Sequence, residues 1–501
     1  MKRPDALVRV LAALAVVTTA AACGTTVSTS GTPPAGVDGL AVPTATASQG
    51  SVSAPGSTAG TVPGSAPGTL TSPGGTTTST DLTAPGSTAA AGGAGKPTAI
   101  NPKLPPIEIG TYYLQGGGAA LAAAGFAGVV IPDNKPLFDK MVRYLNAHGG
   151  LGGRLIKPVE FKYQSGGDPH AQDAAACTDF TQDHHVYLVV GGISSGAGDL
   201  PGCLAKNGVP LIGANLGGDA RYFAEYHQFI YEPGQANFTI GLTTLVNDLW
   251  SQKFFSPTVK VGVVQYEGAT YDHAVDDGLV AALARHGMQV AGRVKVTSNT
   301  DNSIIARDSA NAVLKFSTQG INRVFFMAPG GAVATYFMNT ASTQGYHPRY
   351  GIWSADSPYV LAITAAKDQL RNSMGIGYQP GLDVSGAQDP TASTPAGKTC
   401  LKFWAKLGET DNSGLNSALK RAMCDGFNTL LRAVAFNSHT LTSTVALEAG
   451  YNAIGTGYNP AATFLMRFAP GGHDAANGYR RLAYQSGCSC YVYTGSTLRL
   501  R

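Results

Sequence analysis

The sequence predicts an α/β protein of two lobes, each a doubly wound sheet of parallel strands, carried behind a long tract of low complexity. Three observations lead there. Strands alternate with helices of roughly 10–15 residues, the spacing of βαβ units. This alternation falls into two separate blocks, and the composition changes abruptly near Leu104. A length of 501 residues also exceeds what one hydrophobic core usually serves.

In the first block, residues 107–113 read as a strand, and residues 134–148 as an amphipathic helix with Leu137, Met141, Tyr144 and Leu145 at helical spacing. Residues 161–163 lie in a second strand and 171–183 in a second helix. Residues 186–191 form an apolar run suited to a strand buried on both faces, and Pro210-Leu211-Ile212 opens the next. The second block repeats the rhythm with strands at 259–266, 289–294 and 323–328 and helices at 273–286 and 303–319. Gly287 marks the end of the first of those helices. Strand, crossover helix, strand in this order implies parallel sheets with right-handed crossovers.

Ahead of both blocks, Lys2, Arg3 and Arg9 precede an apolar stretch from Leu11 to Val17 that runs into Ala20, Ala21 and Ala22. Residues 1–22 therefore read as a secretory signal, too short for a spanning helix. Cys23 follows directly, in the manner of the lipobox of bacterial lipoproteins, whose Cys thiol takes up diacylglycerol; Ala20 stands where that motif usually has Leu. Residues 23–103 are then a lipidated Cys and a Gly/Ser/Thr/Pro linker that has almost nothing apolar to bury and is expected to be disordered. The formal charge of +4 loses Lys2, Arg3, Arg9 and Asp5 with the leader. The near-balance that remains gives no reason to expect nucleic acid as a partner.

The segment from Phe138 to Leu155, ending Asn146-Ala147-His148-Gly149-Gly150-Leu151-Gly152-Gly153-Arg154-Leu155, resembles the signature of the type I periplasmic binding proteins of the leucine/isoleucine/valine-binding kind. Asp168-Pro169 after the next strand, Gly191-Gly192-Ile193-Ser194-Ser195 at the end of the third, Gly208 to Ile212 at the start of the fourth, and Tyr266 to Tyr271 agree in order. Together they cover about 106–356. The resemblance implies the type I fold, two Rossmann-like lobes joined by three crossovers, with no cofactor and no metal. It also implies the division of the chain: residues 104–232 with 385–443 as lobe one, and 233–384 with 444–501 as lobe two. Read by itself, the glycine motif is a structural turn. Dinucleotide-binding glycines follow a strand and open a helix, whereas these follow a helix.

Six cysteines remain after Cys23, an even set that suits an oxidising compartment. Cys177 and Cys203 would tie neighbouring helices, and the resemblance implies a bridge at this place; the same nearest-pair logic joins Cys400 to Cys424. Cys488 and Cys490 sit too far apart on one face of a strand to bridge unless the chain bends. Metal binding by that pair with His473, or by Asp183-His184-His185, lacks zinc-type spacing.

Gly192-Ile193-Ser194-Ser195-Gly196 also matches a hydrolase nucleophile elbow, for which Asp356 and His473 formally supply the acid and base. In a chain of 64 glycines the pentapeptide is weak, and a serine hydrolase is the lesser reading. The resemblance instead implies a solute-binding protein, not an enzyme, with a cleft lined by strand-end loops. Tyr113, Ser194, Ser195, Asn215 and Leu216 are the candidates in lobe one, and Tyr271, Asp356 and Tyr378 in lobe two. Asp356 would meet a ligand amine. Asn215-Leu216-Gly217-Gly218 replaces the Ser/Thr-rich loop with which the family grips an amino-acid carboxylate. The expected function is capture of a small polar organic molecule, an amino acid or similar, at the outer face of the membrane by a monomer that delivers it to an ABC permease. The alternative is a sensor that presents its closed form to a receptor.

Overall fold

The computed structural model describes residues 99–501 apart from 118–121, 123–125, 131, 193–197, 214–216, 298–300 and 438–442. The expected leader, Cys23 and linker lie outside the described residues.

The first sheet has five parallel strands in the order β2-β1-β3-β4-β5, with β1 Ile107–Gln115, β2 Ile156–Gln164, β3 Leu188–Val190, β4 Leu211–Ile212 and β5 Ile230–Tyr231. Helix α1 (Lys135–Ala147) buries Leu137, Phe138, Met141, Val142 and Leu145 against it. The glycine motif after α1 is the turn expected. Asn146 Nδ2 donates to the Ile156 carbonyl at 2.9 Å and its Oδ1 accepts from the Ile156 N–H at 2.7 Å, tying the helix exit to the first residue of β2. At Gly150 φ is 67°, and a Cβ there would stand 2.0 Å from the Arg154 carbonyl oxygen, so only glycine fits.

The second sheet has seven strands in the order β12-β11-β10-β9-β8-β6-β7. Strands β6 (Val261–Tyr266), β7 (Val290–Val296), β8 (Arg323–Met327), β9 (Arg349–Trp353) and β10 (Ser373–Gly377) are parallel. The antiparallel pair β11 (Gly478–Gln485) and β12 (Cys490–Arg499), unforeseen in the sequence, completes one edge.

Three segments connect the lobes, and they touch. The Glu232 N–H donates to the His473 carbonyl (2.8 Å), the Ala475 N–H to the Glu232 carbonyl (2.9 Å), the Asn237 N–H to Asp474 Oδ2 (2.9 Å), and Gln379 Nε2 to the Gly234 carbonyl (3.0 Å). The boundary expected at residue 443 is corrected by packing. Leu447, Tyr451, Tyr458, Ala461, Met466, Phe468 and Ala475 share a core with Ile107, Phe138 and Trp404 of lobe one, whereas Ala476 and Tyr479 join the core of lobe two. The cause is Asp425, buried in the helix Gly414–Phe436, which accepts from Tyr458 OH (2.8 Å) and from the N–H groups of Ala461 (2.8 Å) and Ala462 (2.8 Å). The last passage between lobes therefore falls near residue 475.

Cys177 is bonded to Cys203 and Cys400 to Cys424. Each closes a loop of about 25 residues, which stabilises by roughly 3–4 kcal/mol in the chain-entropy account. Cys488 is bonded to Cys490 as well: Ser489 lies in the turn between β11 and β12, with φ 50°, and the two Cα atoms come to 5.1 Å.

Candidate functional site

Residues that follow β1 and β4 in lobe one meet helices of lobe two, and the lobes touch on two flanks. On the polar flank, Asp219 caps the short helix Ala220–Glu225 through the Tyr222 N–H (2.7 Å), and its second oxygen lies 2.8 Å from Nδ1 of His273 in lobe two. Arg221 reaches Asp277 at 2.8 Å beside it. On the apolar flank, Phe126 and Val129, which follow β1, pack with Val360, Ile363 and Tyr336 of lobe two; the Phe126 and Tyr336 rings meet edge to face at 5.7 Å. A groove of about 570 Å³ opens along the polar flank, lined by Asp199, Lys206, Asp219 and Tyr222 on one side and by Thr270 and His273 on the other.

Of the residues expected at the site, Ser194, Ser195, Asn215 and Leu216 lie outside the described residues, although Gly192 and Gly217 do not. A Cβ on Gly192 would stand 1.8 Å from the Tyr112 carbonyl oxygen, so the chain leaving β3 presses against β1. Tyr113 sits half-buried near the end of β1. Tyr271, in the first turn of the helix after β6, packs edge to face on Tyr266 (5.6 Å) and beside Phe238 (6.3 Å).

Asp356 and Tyr378 are brought together, but in the interior: both are 0% exposed. Asp356 Oδ2 accepts the Trp353 N–H (3.1 Å), which closes the turn after β9, while Oδ1 makes no hydrogen bond. Burial, with neighbouring Asp383 adding to it, pushes this carboxyl well above the usual range. The Tyr378 N–H donates to Ser354 Oγ (2.8 Å), and its hydroxyl makes no hydrogen bond. Asp383 accepts from Ser354 Oγ (3.0 Å), the Gln379 N–H (3.0 Å) and Tyr493 OH (2.5 Å), and burial pushes it up to about 8. His473, the formal base of the hydrolase reading, is engaged elsewhere, with Nδ1 on the His227 carbonyl (2.6 Å) and Nε2 beside Asn452 (3.0 Å).

Two features escaped the sequence reading. Asp173 gathers Tyr163 OH (2.7 Å) and the N–H groups of Gly198 (2.9 Å), Asp199 (2.7 Å) and Leu200 (3.3 Å), so it fixes the chain where it leaves the 193–197 segment. An acid on the inward side of the helix 169–178 was the available signal. The Asp219–His273 and Arg221–Asp277 pairs had none, because no spacing rule links positions more than fifty residues apart in different lobes. His184 lies 3.7 Å from Asp179 and 3.8 Å from Glu108, and among the described residues no group of three metal-ligating side chains forms.

The architecture has many solved counterparts. A possible leucine/isoleucine/valine-binding protein from Rhodopirellula baltica SH 1 is 14% identical, with 81% of this chain and 98% of that chain covered at a TM-score of 0.52. A solute binding protein of an ABC transporter from Rhodopseudomonas palustris BisB5, in complex with 3,4-dihydroxy benzoic acid, is 13% identical, covering 79% and 97% at 0.55. A fatty acid ABC transporter substrate-binding protein from Thermomonospora curvata is 15% identical, covering 81% and 93% at 0.51. At these identities the likeness is one of fold. No curated protein matches the chain in sequence. The family model described as periplasmic binding protein matches residues 125–391, more than half of the chain, and the chain belongs to that family.

Proposed function

We propose that the chain is an extracytoplasmic lipoprotein, anchored through Cys23, that takes a small polar organic molecule between its lobes and delivers it to an ABC permease. The observation that carries this reading is that the three connecting segments are gathered together while residues following β1 and β4 of lobe one meet helices of lobe two. That arrangement lets one solute touch both halves, so binding favours the closed form. Tyr113, Ser194, Ser195, Asn215 and Leu216 supply the lobe-one contacts, and Tyr271, Asp356 and Tyr378 those of lobe two. The bare Asp356 Oδ1 and the bare Tyr378 hydroxyl are the polar atoms lobe two holds in reserve for a ligand, and both require movement of the turn at 354–357 to be reached. Solved neighbours differ in what their names attach to them, from branched-chain amino acids to an aromatic acid and fatty acids, so an amino acid or a similar compound is the class assigned here.

Native mass spectrometry of the chain after gentle purification tests this. One small organic molecule per chain is expected, weakened by about 1–3 kcal/mol in Asp356→Ala if it pairs with a ligand charge. Absence of any bound molecule, together with unchanged scattering profiles on adding the family's solute classes, contradicts the reading.

A further inference from the structure

The three disulfides differ in what they brace. Cys177–Cys203 and Cys400–Cys424 each join two helices, and Cys177, Cys400 and Cys424 are buried. Cys488–Cys490 spans a single residue at the tip of the β11–β12 hairpin, where Cys488 is exposed and Cys490 is not. The hairpin does not need it. Gln485 already pairs with Cys490 and Tyr484 with Tyr491. Further along β12, Tyr491 OH bonds Ser373 Oγ (2.8 Å) and Tyr493 OH bonds Asp383. Closing so short a loop removes little chain entropy. Ser489, the residue it spans, stands at φ 50°, a left-handed conformation that costs energy outside glycine.

We propose that Cys488–Cys490 is a thiol–disulfide exchange site that accepts two electrons from a dithiol, whereas the other two bridges are structural. A thiolate of the dithiol attacks Cys488 Sγ, the sulfur exposed at the tip; the Cys488–Cys490 bond breaks, and Cys490 leaves as a thiolate and takes a proton. The second thiolate of the dithiol then attacks its own sulfur in the mixed disulfide. Cys488 is released as a thiolate and protonated, and the dithiol departs as a disulfide. Exposure of the attacked sulfur and a conformational cost relieved on opening are the two properties that mark a labile bridge. The anchoring of Tyr491 and Tyr493 keeps the hairpin docked after reduction.

The test equilibrates the full oxidised chain in buffers of graded reduced-to-oxidised dithiothreitol, alkylates the free thiols, and maps them by mass. Cys488 and Cys490 are expected to be half-reduced at a ratio at least about tenfold lower than the other four cysteines, with the circular dichroism spectrum unchanged. Ser489→Gly, which removes the left-handed cost, is expected to raise that ratio severalfold. A common midpoint for all three bridges, a higher one for Cys488–Cys490, or no shift in Ser489→Gly would overturn the proposal.

Discussion

Asp425 in lobe one and Asp356 in lobe two are both sealed from solvent, yet they are used in opposite ways. Asp425 spends both oxygens on Tyr458, Ala461 and Ala462, and burial, opposed by those bonds, pushes its carboxyl only up to about 6. Asp356 accepts one N–H, leaves Oδ1 bare, and burial pushes its carboxyl well above the usual range. A satisfied buried carboxylate holds a fold together, while an unsatisfied one is a cost that stability alone does not explain. The contrast separates the residue that builds lobe one from the residue we propose for a ligand in lobe two.

The contrast is sharpest in mutants. Asp425→Ala strands two buried donors and one half-buried one and detaches residues 458–462 from lobe one, so urea unfolding is expected to show a loss of about 3–5 kcal/mol. A loss below about 1 kcal/mol would show that those bonds do not carry the segment. The pH dependence of stability is expected to have two limbs. Burial pushes the His473 imidazole down to about 4, so stability present above about 6.5 is lost as pH falls toward 4, by about 3 kcal/mol. Asp383, pushed up to about 8, contributes in the opposite sense: its share is present below about 4 and is lost as pH rises through 8. His473→Gln is expected to flatten the acid limb and Asp383→Asn the alkaline one; limbs that stay unchanged in these variants would assign them elsewhere.

Tyr378→Phe removes a hydroxyl that has no partner, so stability is expected to hold or rise by up to about 1 kcal/mol while affinity for the co-purified solute falls. Lower stability with unchanged affinity would make Tyr378 a core residue and nothing more. The smallest effect belongs to Arg221→Ala. The exposed pair with Asp277 is worth about 0.2–1 kcal/mol, read as a slight opening of the lobes by scattering rather than as a change in melting.

Much of this architecture was legible in the sequence. The strands and helices of both blocks follow from periodicity, and the turn after α1 follows from Asn146 and its glycines, because these are local signals. The passage near residue 475 was not legible, since Tyr458 meets Asp425 across 33 residues and nothing local announces a helix position that will receive a distant segment. The β11–β12 hairpin escaped for a related reason. Its docking depends on Tyr491 and Tyr493 finding Ser373 and Asp383 more than a hundred residues earlier. At the site, the sequence named Tyr271, Asp356 and Tyr378 as lobe-two candidates, and the fold sets the Tyr378 N–H on Ser354, in the same turn as Asp356. What it did not convey is their burial, which is a property of everything packed over them.

The central claim, that one solute bridges both lobes, is tested most directly by small-angle scattering of residues 99–501 with and without the co-purified molecule, in the wild type and in Asp356→Ala. The account predicts a smaller radius of gyration with the molecule present, and a higher concentration needed to reach it in Asp356→Ala. An unchanged radius at saturating solute, with equal binding by the variant, would contradict it.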